Sequence, residues 1–393
     1  MPCDPPVLFG LEAAVADPPE LLRQARAFGL VCNQASVDAS FQHASSVLAQ
    51  RFPGRLRALF GPQHGLWSTE QDNMIETGHA RHARLGVPVW SLYSETRKPT
   101  QAMLDGLDLL VIDLQEVGTR VYTYVWTLTY CLEACAQKGI PVLVLDRPNP
   151  LGGEVAEGAL LDVAYRSFVG RAAIPMRHAL TIAELARHCN EVMALGADLH
   201  TVRMPGWRRS MLWPDTGRAW LPPSPNLPRF EGALVYPGQV LLEGTNLSEG
   251  RGTTTPFEQF GAPFIEPWRL LEHPQVAALR HLVLRPFAFE PTFQKWQGKT
   301  CSGWFLHATD AVALRSYAAT ITVLRAVRES WPQQFAWRQP PYEYENEKLP
   351  IDILAGGDGL RRFVDGELPW SELDRLALAP ADWLQQVRRC LLY

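Results

Sequence analysis

A chain of 393 residues, 47% hydrophobic and 20% charged, can bury more than one core, which excludes a disordered polymer and predicts two domains. The net charge of -4, with lysine and arginine dispersed, leaves no basic face for nucleic acid or an anionic membrane, so a small-molecule partner is expected. Seven scattered cysteines lack metal-ligand spacing, and neither a basic-then-apolar leader nor a run of about 18 apolar residues occurs, so a soluble, cytoplasmic protein with free, buried thiols is expected.

In chain order, short apolar runs alternate with helical patterns, the signature of a parallel α/β sheet with helices on its faces. Strands are predicted at Phe28–Cys32, Leu56–Phe60, Val87–Leu92, Leu107–Ile112 and Pro141–Leu145. Helices are predicted at Ser40–Gln50, Thr100–Asp105, Tyr124–Gln137 and Thr181–Glu191; the last opens on Thr181 with Glu184 three residues later, the spacing of a capping box. Three strands run into polar clusters: Gly61-Pro-Gln63-His64-Gly65, Asp113-Leu-Gln115-Glu116-Val-Gly118-Thr-Arg120, and Asp146-Arg147-Pro-Asn149. In an open α/β sheet ligands bind beyond the carboxyl ends of the strands, so these clusters are expected to meet at one crevice. No Gly-x-Gly-x-x-Gly or phosphate-loop motif follows a strand, and no Gly-x-Ser-x-Gly elbow occurs. No nucleotide cofactor and no serine nucleophile are therefore expected.

Composition shifts between 205 and 240. The stretch Trp220-Leu-Pro-Pro-Ser-Pro-Asn226-Leu-Pro is too proline-rich for a helix or central strand and reads as an extended crossing. The boundary is placed near 230, giving domains 1–230 and 231–393. The second domain opens on Glu243-Gly-Thr-Asn246-Leu-Ser-Glu249-Gly-Arg251-Gly-Thr-Thr, charged and glycine-rich, which reads as a binding loop able to close over the strand ends at an interdomain cleft. The aromatic-rich Phe287–Trp296 precedes a strand at Gly303–His307, and helices are expected near 310–328 and 359–365.

The candidate cleft is rich in acids: Glu70, Glu76, Asp113, Glu116, Asp146, Glu157, Glu243 and Glu249, beside His64 and several amides and arginines. Carboxyl pairs without a Ser or Cys nucleophile suit glycoside cleavage, in which one protonates the leaving oxygen and another acts as base or nucleophile. A lectin-like sugar binder could use the same groups. Cation binding by His64, Asp113, Glu116 and Asp146 lacks tight ligand spacing, so no metal is expected. Asp146 and Asn149 also suit local capping of a turn, and Arg251 has Glu243 or Glu249 as alternative partners.

The series Phe-Gly-Pro-Gln63-His64-Gly, Asp72-Asn-Met-Ile-Glu76, Ser-Leu-Tyr93-x-x-Thr-Arg97-Lys98-Pro, Asp113 through Tyr124, Leu-Asp146-Arg-Pro-Asn-Pro-Leu-Gly-Gly, Pro-Ser-Pro-Asn226, Tyr236-Pro-Gly and the run from Glu243 to Thr253 resembles the exo-β-N-acetylmuramidase family. The resemblance covers roughly residues 28–300 and implies a Rossmann-like N-terminal domain with a smaller α/β C-terminal domain. It implies release of N-acetylmuramic acid from the non-reducing ends of peptidoglycan fragments, for cell-wall turnover or recycling. Within it, Glu116 and Glu76 are expected to be the paired acids, with His64 beside them. Gln63, Arg120, Tyr122, Asp146, Arg147, Asn149, Asn226, Glu243, Asn246 and Glu249 are expected to contact the sugar, and Arg251 to meet the lactyl carboxylate. Two positions depart from the family pattern: Gln63 stands where many members carry Glu, and Glu116 where they carry Asp. A non-catalytic muropeptide-binding protein on the same scaffold is the alternative tied to Gln63.

Overall fold

The computed structural model describes residues 6–67, 69–70 and 75–393. Strands β1 (Phe28–Cys32), β2 (Leu56–Gly61), β3 (Ala80–Arg81), β4 (Pro88–Ser91), β5 (Leu109–Asp113), β6 (Val142–Leu145) and β7 (Leu199–Val202) form a sheet in the order β3-β4-β2-β1-β5-β6-β7. All neighbours pair in parallel except β3 with β4. Every residue of β1, β5 and β6 is buried, because helices cover both faces and leave no wet side that would demand alternation. One face packs Phe60, Ile112 and Val144 against Leu128 and Leu132 of helix Tyr124–Lys138; the other packs Phe28, Leu30 and Leu143 against Leu11 and Leu48.

The five predicted strands form at the predicted places, as does helix Ile182–Val192. Thr181 caps that helix through the reciprocal pair of bonds its spacing requires: Glu184 N donates to Thr181 Oγ1 at 3.4 Å, and Thr181 N to Glu184 Oε2 at 3.0 Å. The helix expected at Thr100–Asp105 shrinks to one 3₁₀ turn, Ala102–Leu104, and that expected from Ser40 starts at Ala44, where His43 caps it.

A smaller antiparallel sheet lies in a second domain, built from β8 (Gln259–Ala262), β9 (Leu282–Phe289) and β10 (Cys301–Ala308) in the order β8-β10-β9. Pro286 is tolerated because β9 is an edge strand. Helix Phe230–Gln239 was hidden in the sequence by Gly232, Pro237 and Gly238. Packing overrides propensity there: a Cβ on Gly238 would lie 2.1 Å from the Ser316 carbonyl oxygen, so glycine lets this helix press against helix Ser316–Ser330. Among the described residues no helix is long and apolar enough to cross a membrane.

Candidate active site

The loops that leave β2 and β5, the strands on either side of β1, face three C-terminal segments across a buried cleft. After β2 the chain turns through Gln63 and His64, the latter in the left-handed region at φ 70°. His64 Nδ1 lies 2.7 Å from the Glu70 carbonyl oxygen, which can only accept, so Nδ1 carries the ring proton. Nε2 then accepts from Ser224 Oγ at 3.4 Å. Burial drives the ring down to about 4, so His64 presents a neutral imidazole. After β5, Thr123 Oγ1 donates to Gln63 Oε1 at 2.6 Å, which fixes the amide and leaves its NH₂ as a donor.

The opposite wall carries the charge. Arg251 Nη2 donates to Glu243 Oε1 at 2.7 Å, Arg251 Nε lies 3.4 Å from Glu249 Oε1, and Lys295 Nζ lies 2.6 Å from Glu249 Oε2. The expected binding loop is therefore buried: Glu243, Glu249 and Arg251 expose at most 5% of their surface. Two cations balance two anions, the condition for keeping such groups out of water. Tyr342 donates to Glu243 Oε2 at 2.7 Å. Burial alone would raise Glu243, but Arg251, Tyr342 and Lys295 outweigh it and hold the carboxyl below its usual range. Arg251 Nη1 is buried without a hydrogen-bond partner among the described residues.

Next to Tyr342 stands a residue that sequence reasoning missed. Tyr342 and Glu345 exchange both backbone hydrogen bonds at 2.9 Å, and Glu343 and Tyr344 between them take φ of 43° and 68°. This is a two-residue hairpin turn with both central residues left-handed, a geometry that favours Asn-Gly and costs other residues roughly 1–2 kcal/mol each. It turns Glu343 into the cleft lining, where Tyr93 OH donates to Glu343 Oε2 at 3.1 Å and the Gln63 side chain also hydrogen-bonds it. Burial, then the charge of Glu243, pushes the Glu343 carboxyl up to about 7. The stretch Gln339-Pro-Pro-Tyr-Glu-Tyr-Glu-Asn-Glu-Lys reads as a solvated loop, and its alternation of tyrosine with glutamate was the one available signal.

Of the expected site residues, Gln63, His64, Tyr122, Asn226, Glu243 and Arg251 line this cleft, and Glu249 braces Arg251 from behind. The others lie elsewhere, for physical reasons. Asp113 and Arg147 form a buried bidentate pair at 2.5 and 2.9 Å. Asp146 accepts from Thr181, Ala183 and Tyr393, and none of Asp146, Arg147 and Asn149 lines the cleft. Asn149 caps its own turn, accepting from Leu151 N and donating to the Leu180 carbonyl. Arg120 donates to the carbonyls of Ala159, Ile174 and Leu354, tying the two halves together instead of meeting a sugar. Asn246 is bonded to Gln334 and Ala336. Glu116 accepts from Gly118 N and from His178 Nε2 at 3.2 Å, adjacent to Tyr122 but outside the cleft lining. Glu76 is half-exposed, 3.5 Å from Arg97, and lines a separate surface pocket. The expected Glu116–Glu76 pair is thus corrected: the structure does not bring the two together. Among the described residues no cluster of His, Cys, Asp and Glu is arranged to hold a metal ion.

Comparisons with known proteins agree with one another. Models of exo-beta-N-acetylmuramidase NamZ match this chain at residues 28–231 for the N-terminal part and 234–393 for the C-terminal part. The peptidoglycan beta-N-acetylmuramidase NamZ of Bacillus subtilis (strain 168) is 42% identical over 361 residues, spanning 92% of this chain and 85% of the relative. Two solved structures of DUF1343 family proteins from Bacteroides fragilis NCTC 9343 superpose with TM-scores of 0.84 and 0.75, at 29% and 25% identity. Each superposition covers 98% of this chain and 99% of the other.

Proposed function

The chain belongs to the exo-beta-N-acetylmuramidase NamZ family, and from that premise we propose that it releases N-acetylmuramic acid from the non-reducing ends of short peptidoglycan glycans in the cleft described above. It is a glycoside hydrolase acting on peptidoglycan. In this reading residues 1–230 form the sheet-bearing domain, and residues 231–393 form the domain that closes over its strand ends.

The observation that carries the choice of cleft is Arg251. Its Nη1 is a buried donor left without a partner among the described residues, on a side chain whose charge is otherwise balanced by Glu243 and Glu249. A muramic acid residue differs from its N-acetylglucosamine neighbour by a lactyl carboxylate, and guanidinium is the side chain best shaped to accept one. Because Arg251, Lys295, Glu243 and Glu249 sum to no net charge, the carboxylate meets a donor without meeting an excess of negative charge. Gln63, Asn226 and the neutral His64 supply uncharged hydrogen-bonding groups for sugar hydroxyls, and Tyr122 and Tyr236 supply ring surface. A cytoplasmic site of action belongs to this reading, since the six described cysteines are all free and buried.

The test is hydrolysis of a chromogenic β-N-acetylmuramic acid glycoside beside the matching β-N-acetylglucosamine glycoside, with and without chelator. Release from the muramic compound alone, unchanged by chelator, is the expected result. Saturable binding of the disaccharide with no release would overturn it in favour of a binding protein.

A further inference from the structure

We propose that Glu343, at the tip of the turn between Tyr342 and Glu345, is the group that protonates the departing glycosidic oxygen, and that Glu243 is the carboxylate that stays ionised beside it. This assignment rests on the function proposed above and adds a catalytic residue to it.

Charge balance comes first. The cationic groups of the cleft wall are already matched: Arg251 is held by Glu243 and Glu249, and Lys295 by Glu249. Among the described residues a third ionised carboxylate in this buried space has no cation of its own, and the hydrogen-bonding partners of Glu343 are the neutral groups of Tyr93 and Gln63. The other titratable groups around it are Glu243, Arg251, Tyr342 and Tyr236. Arg97, stacked on the Tyr344 ring at 3.5 Å, is shared with Glu76. Burial and the like charge of Glu243 therefore keep Glu343 protonated near neutral pH, while Arg251 keeps Glu243 ionised. Two carboxyls whose surroundings push their proton affinities apart are the condition for dividing acid from base.

Elimination points the same way. Among the described groups lining the cleft, Gln63 cannot ionise, His64 is neutral with an accepting Nε2, and burial drives Tyr122, Tyr236 and Tyr342 further from ionisation. Glu343 remains as the acid able to release a proton near pH 7. The backbone supports it: two consecutive non-glycine residues are held left-handed at 343 and 344, and strained conformations of this kind persist where a side chain must be aimed. The same turn supplies Tyr342, which braces Glu243, so one hairpin sets both carboxyls.

In the step itself, Glu343 gives its carboxyl proton to the glycosidic oxygen as the bond from C1 to that oxygen breaks, the bonding pair leaving with the oxygen as an alcohol. Water then forms the new bond to C1 and surrenders one proton, which restores the protonation of the Glu243–Glu343 pair.

The experiment compares unmodified enzyme with Glu343→Gln on two substrates, the natural disaccharide and a muramic glycoside whose leaving group is an acidic phenol. The variant is expected to lose about 10²–10⁴-fold in kcat on the disaccharide and far less on the phenol glycoside, which departs without protonation. The alkaline limb of the pH profile, expected near pH 7, should disappear with it. Tyr93→Phe removes a donor that favours the ionised form, so it should move that limb upward. Glu343→Gly, which adopts a left-handed φ without a Cβ penalty, provides a second variant where Gln at this turn does not fold. Equal losses on both substrates with the alkaline limb unmoved, or full activity in Glu343→Gln, would overturn the donor role alone. No turnover of either substrate by the unmodified enzyme would overturn the assigned function and the donor role with it.

Discussion

Two sets of buried acids lie close to the ends of the parallel strands. In the first, Asp113 is bonded bidentately to Arg147, Asp146 takes donors from Thr181, Ala183 and Tyr393, and Glu116 takes them from Gly118 and His178. In the second, Glu243, Glu249 and Glu343 share Arg251 and Lys295, so one carboxyl is in excess of the cations. The first set reads as framework and the second as chemistry, although both are buried, acidic and rich in hydrogen bonds. What separates them is access: Glu243 and Glu343 line the cleft and Glu249 braces its arginine, whereas Asp113, Asp146 and Glu116 do not line it.

The comparison can be broken most sharply at Asp113. Asp113→Ala strands Arg147, 1% exposed, without its anion, and should cost about 3–5 kcal/mol in urea unfolding while turnover per folded molecule is retained. A smaller change of stability, or a selective loss of turnover, would move Asp113 into the second set. His64 sharpens the cleft side through pH. Its folded pKa, about 4, lies below the unfolded value of 6.5, so between those values the unfolded chain binds the extra proton. The stability it contributes is complete above about pH 6.5 and declines as pH falls toward 4, by up to about 3 kcal/mol. His64→Gln should flatten that slope in unfolding curves taken at pH 7.5 and 4.5.

Tyr342→Phe removes one hydrogen bond to Glu243, worth about 1 kcal/mol of stability. Losing that donor also raises the Glu243 carboxyl, so the acidic limb of the pH–activity profile should shift upward; an unmoved limb would mean that Glu243 does not control it. The smallest effect belongs to Glu76→Gln. A partly exposed pair at 3.5 Å contributes at most about 1 kcal/mol, and kcat/KM should stay within twofold of the unmodified enzyme. A large loss of activity would restore Glu76 to the catalytic role that its position in the sequence suggested.

Legibility in the sequence followed the range of the interactions. The strands β1, β2, β4, β5 and β6 and the capping box at Thr181 were readable because apolar runs and cap spacing are local properties. The polar strand-end clusters were equally visible; the one after β2 lines the cleft through Gln63 and His64, whereas after β5 it is the following stretch Val121–Thr123, not Asp113–Arg120, that does. The cluster after β6 does not, since the donors of Asp146 come from the capped helix at Thr181 and from Tyr393 near the end of the chain. Helix Phe230–Gln239 escaped because a packing surface on helix Ser316–Ser330, invisible to a local window, outweighs its glycines and proline.

By itself the sequence determined the parallel sheet, the family and the presence of an acid-rich polar loop from Glu243 to Arg251, because periodicity, caps and motif order are written in neighbouring residues. Only the tertiary structure decided which acids share a cleft. Tyr342 reaches Glu243 across 99 residues of chain, and Tyr93 reaches Glu343 across 250. A carboxyl's proton affinity depends on the charges within a few ångströms of it and on how much water is excluded, and neither quantity exists until distant segments have packed together.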